Sequence, residues 1–264
     1  MKKLYFGSNL KMYKTPTETE LYLQDLQERT KDISREEIEL FILPSFVCLE
    51  RAMHVTDADL IRIGAQTLHW EEEGQFTGEV SARMIEDLGL TMVMVGHSER
   101  RHVFGETDAE EAKRVQTALQ HGFITLLCIG ETAEEKEMDA TEDVLREQLK
   151  VGLSSVTPET VGQVRVAYEP VWSIGVNGTP ASAEYAGKVH ATIKKILEEL
   201  FGEAAAGIPV LYGGSVNPDN ACDLIALPAV DGLYVGRAAW DAEKFDRLIR
   251  EAMQKAKEAG KQEA

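Results

Sequence analysis

Eight short apolar runs recur along this chain, at residues 4–7, 38–43, 60–65, 92–96, 124–129, 164–168, 210–213 and 233–236. Between them lie longer charged segments with helical spacing. A strand covered on both faces needs apolar side chains at nearly every position, so each run signals a sheet buried under helices. Strand and helix alternating over most of 264 residues predict an α/β chain. The expected form is a parallel eight-stranded (β/α)8 barrel with outer helices, in one domain spanning residues 1–264. An open doubly wound sheet accommodates the same number of strands. The chain has no G-x-G-x-x-G fingerprint and no Walker A loop, which weakens the nucleotide-binding form of that alternative. Thr17-Glu18-Thr19-Glu20 and Thr107-Asp108-Ala109-Glu110 have capping-box form. Thr179 with Pro180, and Asn217 with Pro218, look like helix starts, and Gly89, Gly122 and Gly202 stand where helices should stop. The charged tail 254–264 is expected to fray.

The charge balance excludes whole classes of partner. The formal net charge is −17 and the pI about 4.8, whereas nucleic acid and anionic membrane both need a basic face, so neither is an expected partner. Any anionic substrate must then be held by local donors against an unfavourable overall field. Cys48, Cys128 and Cys222 are odd in number and far apart, with no CxxC or Cys/His ligand spacing. They read as reduced thiols of a cytoplasmic protein, not as disulfides or metal ligands. No signal peptide precedes the first run, and no apolar segment approaches the ~18 residues of a membrane span.

Both α/β architectures place ligands at the carboxyl ends of strands, so the residues just after each run carry the interest. After the sixth, Glu169 sits where strand gives way to loop, and Pro170 biases it towards extended backbone. A carboxylate held beside the Gly-containing loop 175–178 suits a general base whose water is expelled on closure. The plainer alternative is a charged strand end in solvent. After the first run, Asn9 offers an amide donor and Lys11 a point charge for an oxyanion or a phosphate, though a lone lysine is as readily a surface residue. Gly96-His97-Ser98-Glu99-Arg100-Arg101 follows the fourth run. If it opens a helix, His97 lies at the positive dipole end, which favours a neutral imidazole able to donate to a carbonyl; otherwise it is a satisfied turn histidine. One of the two arginines is expected to pair with Glu99 or Glu106. Tyr212-Gly213-Gly214-Ser215-Val216 and Gly236-Arg237-Ala238 follow the last two runs. Their backbone N–H groups and the Ser215 hydroxyl suit a phosphate without positive side chains.

Together, Asn9-x-Lys11, Gly96-His97-Ser98-Glu99-Arg100-Arg101, Tyr168-Glu169-Pro170-Val171-Trp172, Tyr212-Gly213-Gly214-Ser215-Val216 and Asp231-Gly232-Leu233-Tyr234-Val235-Gly236 resemble the triose-phosphate isomerase family in order and spacing. The resemblance runs from about Lys3 to Leu248. It implies a TIM barrel and an isomerase of glycolysis and gluconeogenesis that needs no cofactor and no metal. The implied reaction interconverts dihydroxyacetone phosphate and D-glyceraldehyde 3-phosphate through an enediolate. In that scheme Glu169 moves the proton between adjacent carbons and neutral His97 polarises the carbonyl oxygens. Lys11 and Asn9 stabilise negative charge and help bind substrate, and Glu99 adjusts the surroundings of Lys11 and His97. Backbone groups at Gly175, Ser215, Gly236 and Arg237 would grip the phosphate, and residues 171–181 would form a mobile lid. The stretch 66–79 is similar to the family's interdigitating dimer loop. Leu68, Trp70 and Phe76 would be costly there if exposed, so a homodimer is expected.

Several positions depart from the family's pattern. Leu10 stands where tryptophan is usual, Tyr13 replaces a small polar residue, and the lid reads Val176-Asn177-Gly178-Thr179-Pro180. Tyr234 replaces an aliphatic residue of the pocket and Arg237 a glycine. These changes leave the proton-transfer set intact and open a second substrate, a tetrulose (erythrulose) phosphate. Outside the isomerase reading stand a binding module without catalysis and a Schiff-base aldolase using Lys11, which borohydride trapping would reveal.

Overall fold

The computed structural model describes residues 2–175 and 178–261. Its strands are β1 (Leu4–Asn9), β2 (Ile38–Leu43), β3 (Arg62–Ile63), β4 (Met92–Val95), β5 (Ile124–Ile129), β6 (Val164–Tyr168), β7 (Val210–Tyr212) and β8 (Gly232–Val235). All pairings are parallel, in the order β3-β2-β1-β8-β7-β6-β5-β4, so the first and last strands are neighbours. At the remaining seam Ala65 bridges Val93 of β4: the Ala65 amide donates to Met92 O at 3.0 Å and the Met94 amide to Ala65 O at 2.9 Å. That bridge closes the sheet into the (β/α)8 barrel expected from the sequence. The strand at the seam is much shorter than its apolar run. The Leu60 and Ile61 amides turn back onto Asp57 O, at 3.0 Å each, and only the next residues are free to join the ladder.

Strand alternation divides the core in two. Phe41, Leu43, Met92, Met94, Leu126, Cys128, Ala167, Leu211 and Tyr234 point into the barrel, while the larger cluster lies between sheet and helices. Gly7 is in register with both Phe41 and Tyr234, and their rings stack across it with centroids 6.0 Å apart. A Cβ at Gly7 would lie 2.0 Å from the Phe41 ring, so the two large side chains share a layer only because this position carries none.

Ten α-helices occur among the described residues: α1 (Pro16–Thr30), α2 (Leu49–Val55), α3 (Ala82–Asp87), α4 (Ser98–His102), α5 (Asp108–Gln120), α6 (Ala133–Glu137), α7 (Thr141–Gly152), α8 (Ala183–Phe201), α9 (Ala221–Ala226) and α10 (Ala242–Glu258). Thr107 caps α5 with the reciprocal Glu110 bond, as the sequence predicts. Gly89, Gly122 and Gly202 follow α3, α5 and α8 with positive φ. Three boundary expectations are corrected. The box of α1 is Thr15 with Glu18 and not Thr17 with Glu20, because Pro16 occupies the first turn. Helix α8 is capped by Ser182, whose Oγ accepts the Tyr185 amide, and not by Thr179. Asn217 caps a turn, its Oδ1 accepting from Asp219 and Asn220, and α9 starts four residues later. The charged tail forms the end of α10, helical to Glu258 with Met253 and Ala256 buried; residues 262–264 lie outside the described residues. No helix of the described residues is long and apolar enough to cross a membrane.

Candidate active site

The residues singled out at the strand ends gather at the carboxyl mouth of the barrel. Glu169 follows β6 with its amide on Ile129 O at 2.7 Å and is only 3% exposed. Its Oε2 accepts the Ser98 amide at 3.2 Å, and its Oε1 lies 3.3 Å from His97 Nε2. His97 is the N-cap of α4, and its Nδ1 accepts the Glu99 amide at 3.1 Å. A ring nitrogen that accepts an amide proton carries none, so the imidazole is neutral with its proton on Nε2, facing Glu169. Across the mouth, Lys11 Nζ is 2.6 Å from Glu99 Oε1. Lys11 has φ 50°, a left-handed backbone that is strained for lysine, held by its amide on Asn9 Oδ1 at 2.7 Å. Asn9 Oδ1 also accepts Gln66 Nε2 at 3.0 Å, which leaves its NH2 as the donor.

Cys128 and Tyr234 form the floor. Burial, then the neighbouring Glu169 carboxylate, pushes the Cys128 thiol well above its ordinary pKa. Gly213 separates Glu169 from Tyr234: a Cβ there would lie 3.0 Å from Glu169 Cγ and 3.3 Å from Tyr234 Cδ1. The Gly213 amide donates to Tyr168 O at 2.7 Å, so of the paired glycines only Gly214 remains available to a ligand. The Ser215 and Arg237 amides have no acceptor among the described residues. Arg237 is exposed and opens a three-residue 3-10 turn that leads into α10. Gly175 is exposed with φ 91°; Val176 and Asn177, in the expected lid, lie outside the described residues. Trp172, at the start of that expected segment, donates from Nε1 to the buried Glu131 at 2.9 Å. A buried carboxylate facing a neutral imidazole donor, with an ammonium beside them, is a set able to move a proton between adjacent carbons of a carbonyl compound.

The family model described as triosephosphate isomerase matches residues 4–252. The chain belongs to the triosephosphate isomerase family. Among curated relatives, an L-erythrulose-1-phosphate isomerase of Rhizobium etli is 40% identical over 94% of this chain and 92% of its own length. A triosephosphate isomerase of Solibacter usitatus is 41% identical over 94% and 99%. The crystal structure of triosephosphate isomerase from Bartonella henselae superposes with a TM-score of 0.84 at 33% identity, covering 94% of this chain and 98% of that one.

Within this triosephosphate isomerase fold some contributors were not read from the sequence. Ser98 lies inside a quoted motif, but only its backbone amide acts. Gln66 opens the stretch 66–79 and gives no sign that it will tie Asn9, Lys11 and Leu43 together through Nε2. Trp240 donates from Nε1 to Asn9 O at 2.9 Å, a contact between β1 and the segment after β8 that no local pattern announces. Arg100 pairs with Glu106, as expected of one arginine; Arg101 takes Asp108 instead, at 2.5 Å. In the stretch 66–79, Leu68 is fully buried and Trp70 half-buried beneath Lys113 and Arg114, so only Phe76 of the three remains exposed.

Proposed function

We propose that this chain isomerises short phosphorylated ketoses by proton transfer through an enediolate. The carrying observation is the hydrogen bond that the Glu99 amide gives to His97 Nδ1, which leaves Nε2 to face Glu169 as the donor. Substrate displaces the Glu169 carboxylate from its rest against His97 and Ser98, and the carbonyl oxygen takes its place at Nε2. Glu169 then removes the proton from the adjacent carbon. Negative charge builds on oxygens served by His97 Nε2–H, the Asn9 amide and Lys11 Nζ; His97 gives its Nε2 proton to the carbonyl oxygen and takes the proton of the neighbouring hydroxyl, and Glu169 returns the carbon-bound proton to the neighbouring carbon. Glu99 fixes both partners, through its amide on His97 and its carboxylate on Lys11. The phosphate is held by the amides of Gly175, Ser215, Gly236 and Arg237.

Dihydroxyacetone phosphate and D-glyceraldehyde 3-phosphate need no contact beyond this set. An erythrulose phosphate is an equally supported reading, favoured by relatives named for that activity and by the phenol that Tyr234 brings to the floor. We place the enzyme in the cytoplasm, where its three free cysteines stay reduced. We also infer a homodimer. Met12, Tyr13, Val47, Phe76, Val103 and Phe104 are exposed apolar or aromatic residues in the segments following four consecutive strands, β1 to β4, a surface suited to a second copy.

The test of the base is Glu169→Asp, which withdraws the carboxylate by about one methylene. Loss of alignment of that size lowers kcat by about 100-fold with little change in KM. An Asp variant with nearly full kcat would remove Glu169 from the role.

A further inference from the structure

The isomerase reading leaves Tyr234 unexplained. Its side chain leaves β8, stacks on Phe41 and crosses the barrel to the opposite strand, where the phenol O–H donates to Met94 Sδ at 2.8 Å. The residue is 3% exposed, and Asn9 is the hydrogen-bonding side chain beside its hydroxyl. A thioether is a weak acceptor, and buried phenols usually find a stronger one. Here a good donor rests on a poor partner directly beneath the groups that handle the reacting carbons. The same strand leads, two residues on, to Gly236 at the phosphate end, a rise of roughly 7 Å. A substrate with its phosphate at Gly236 would therefore extend towards the phenol.

We propose that Tyr234 is a specificity determinant for a four-carbon ketose phosphate, its phenol turning from Met94 to bind the hydroxyl on the carbon that a triose lacks. This rests on the isomerase reading of the same site. A triose places no atom at the phenol, which then stays on Met94. A tetrulose phosphate offers a hydroxyl oxygen, and replacing sulfur by oxygen strengthens the bond. Because Met94 keeps the phenol partly satisfied with the shorter sugar, discrimination is partial. It falls on the order of 10–100-fold, far below the 10⁴–10⁵ of a site whose polar group is left bare by the wrong substrate.

The experiment is kcat/KM for L-erythrulose 1-phosphate and for dihydroxyacetone phosphate on wild type, Tyr234→Phe and Met94→Leu. Wild type should favour the tetrulose at least about tenfold, and Tyr234→Phe, which keeps the ring and its packing, should reduce that ratio about tenfold or more. Met94→Leu removes the resting partner, so the triose leaves the phenol unpaired and the ratio rises. A ratio unaltered by Tyr234→Phe, or a wild type that prefers the triose, overturns the proposal and leaves the isomerase reading standing. A wild type that turns over neither sugar overturns both. Should Tyr234→Phe lose its cooperative melting transition, Met94→Leu decides: a ratio that stays level or falls rejects the proposal.

Discussion

In the proposed reaction, Glu169 starts from donors it must leave. Its carboxylate is tied to the Ser98 amide and His97, while its Cγ lies against the open face of Gly213. Gly213→Ala places a methyl in that gap, 3.0 Å from Glu169 Cγ, and crowding of this kind shifts the side chain it meets. We expect kcat to fall about tenfold or more with KM little changed, because only the reacting geometry is disturbed; steady-state kinetics on either sugar checks this. At this scale the sequence was most informative for groups whose chemistry is their own. Glu169, His97, Lys11, Asn9 and Glu99 stand at strand ends in spaced motifs, and the fold brings all five to one mouth. Ser98, Gln66 and Trp240 were not legible because they act through a backbone amide or through contacts across the barrel, with no local signature.

Among the elements, α5 carries a carboxyl group whose ionisation burial penalises. Glu111 is fully buried, with neither carboxyl oxygen hydrogen-bonded within normal geometry, and it faces Glu106 from the preceding segment, Arg101 from α4 and Arg114 of its own helix. Burial, followed by the Glu106 carboxylate, raises its pKa from 4.5 to about 8. The folded state therefore holds a proton that the unfolded chain releases above about 4.5. The associated stability is complete below that pH and is lost as pH rises through about 8. Glu111→Gln removes the dependence. Its melting temperature should match wild type at pH 5 and exceed it at pH 8.5 by on the order of 4 °C, read by thermal melts across that range. Sequence patterns located the elements well, and the misplaced boundaries have physical causes. Two T-x-x-E patterns overlap before α1, and only the position of Pro16 separates them. Thr179-Pro180 has the form of a helix start, but the Thr179 amide bends back to Trp172 O at 3.4 Å, and the helix waits for Ser182. The short β3 shows the same limit, since its apolar run does not reveal that Asp57 captures the first amides.

For the whole molecule, the inferred dimer makes the firmest prediction. Trp70 belongs to its own subunit's packing, so charge there would unfold as much as dissociate; Phe76 at 43% and Phe104 at 66% exposure are the cleaner sites. Phe76→Glu combined with Phe104→Glu should sediment as a monomer of greatly reduced activity, and a fully active dimer would exclude this surface. The eight-strand rhythm was legible from end to end because a doubly covered parallel sheet leaves little choice of residue. Closure was expected with it; what the pattern did not show is that the seam rests on a bridge from Ala65 to Val93. The pairing of β1 with β8 sets a schedule for every newly made copy. More than 200 residues separate the two strands, and at 5–20 residues per second the ribosome needs roughly 10–45 s to supply the second. Throughout that interval β1 emerges with one edge bare, a sticky ribbon that chaperones or neighbouring nascent chains meet before its own partner exists.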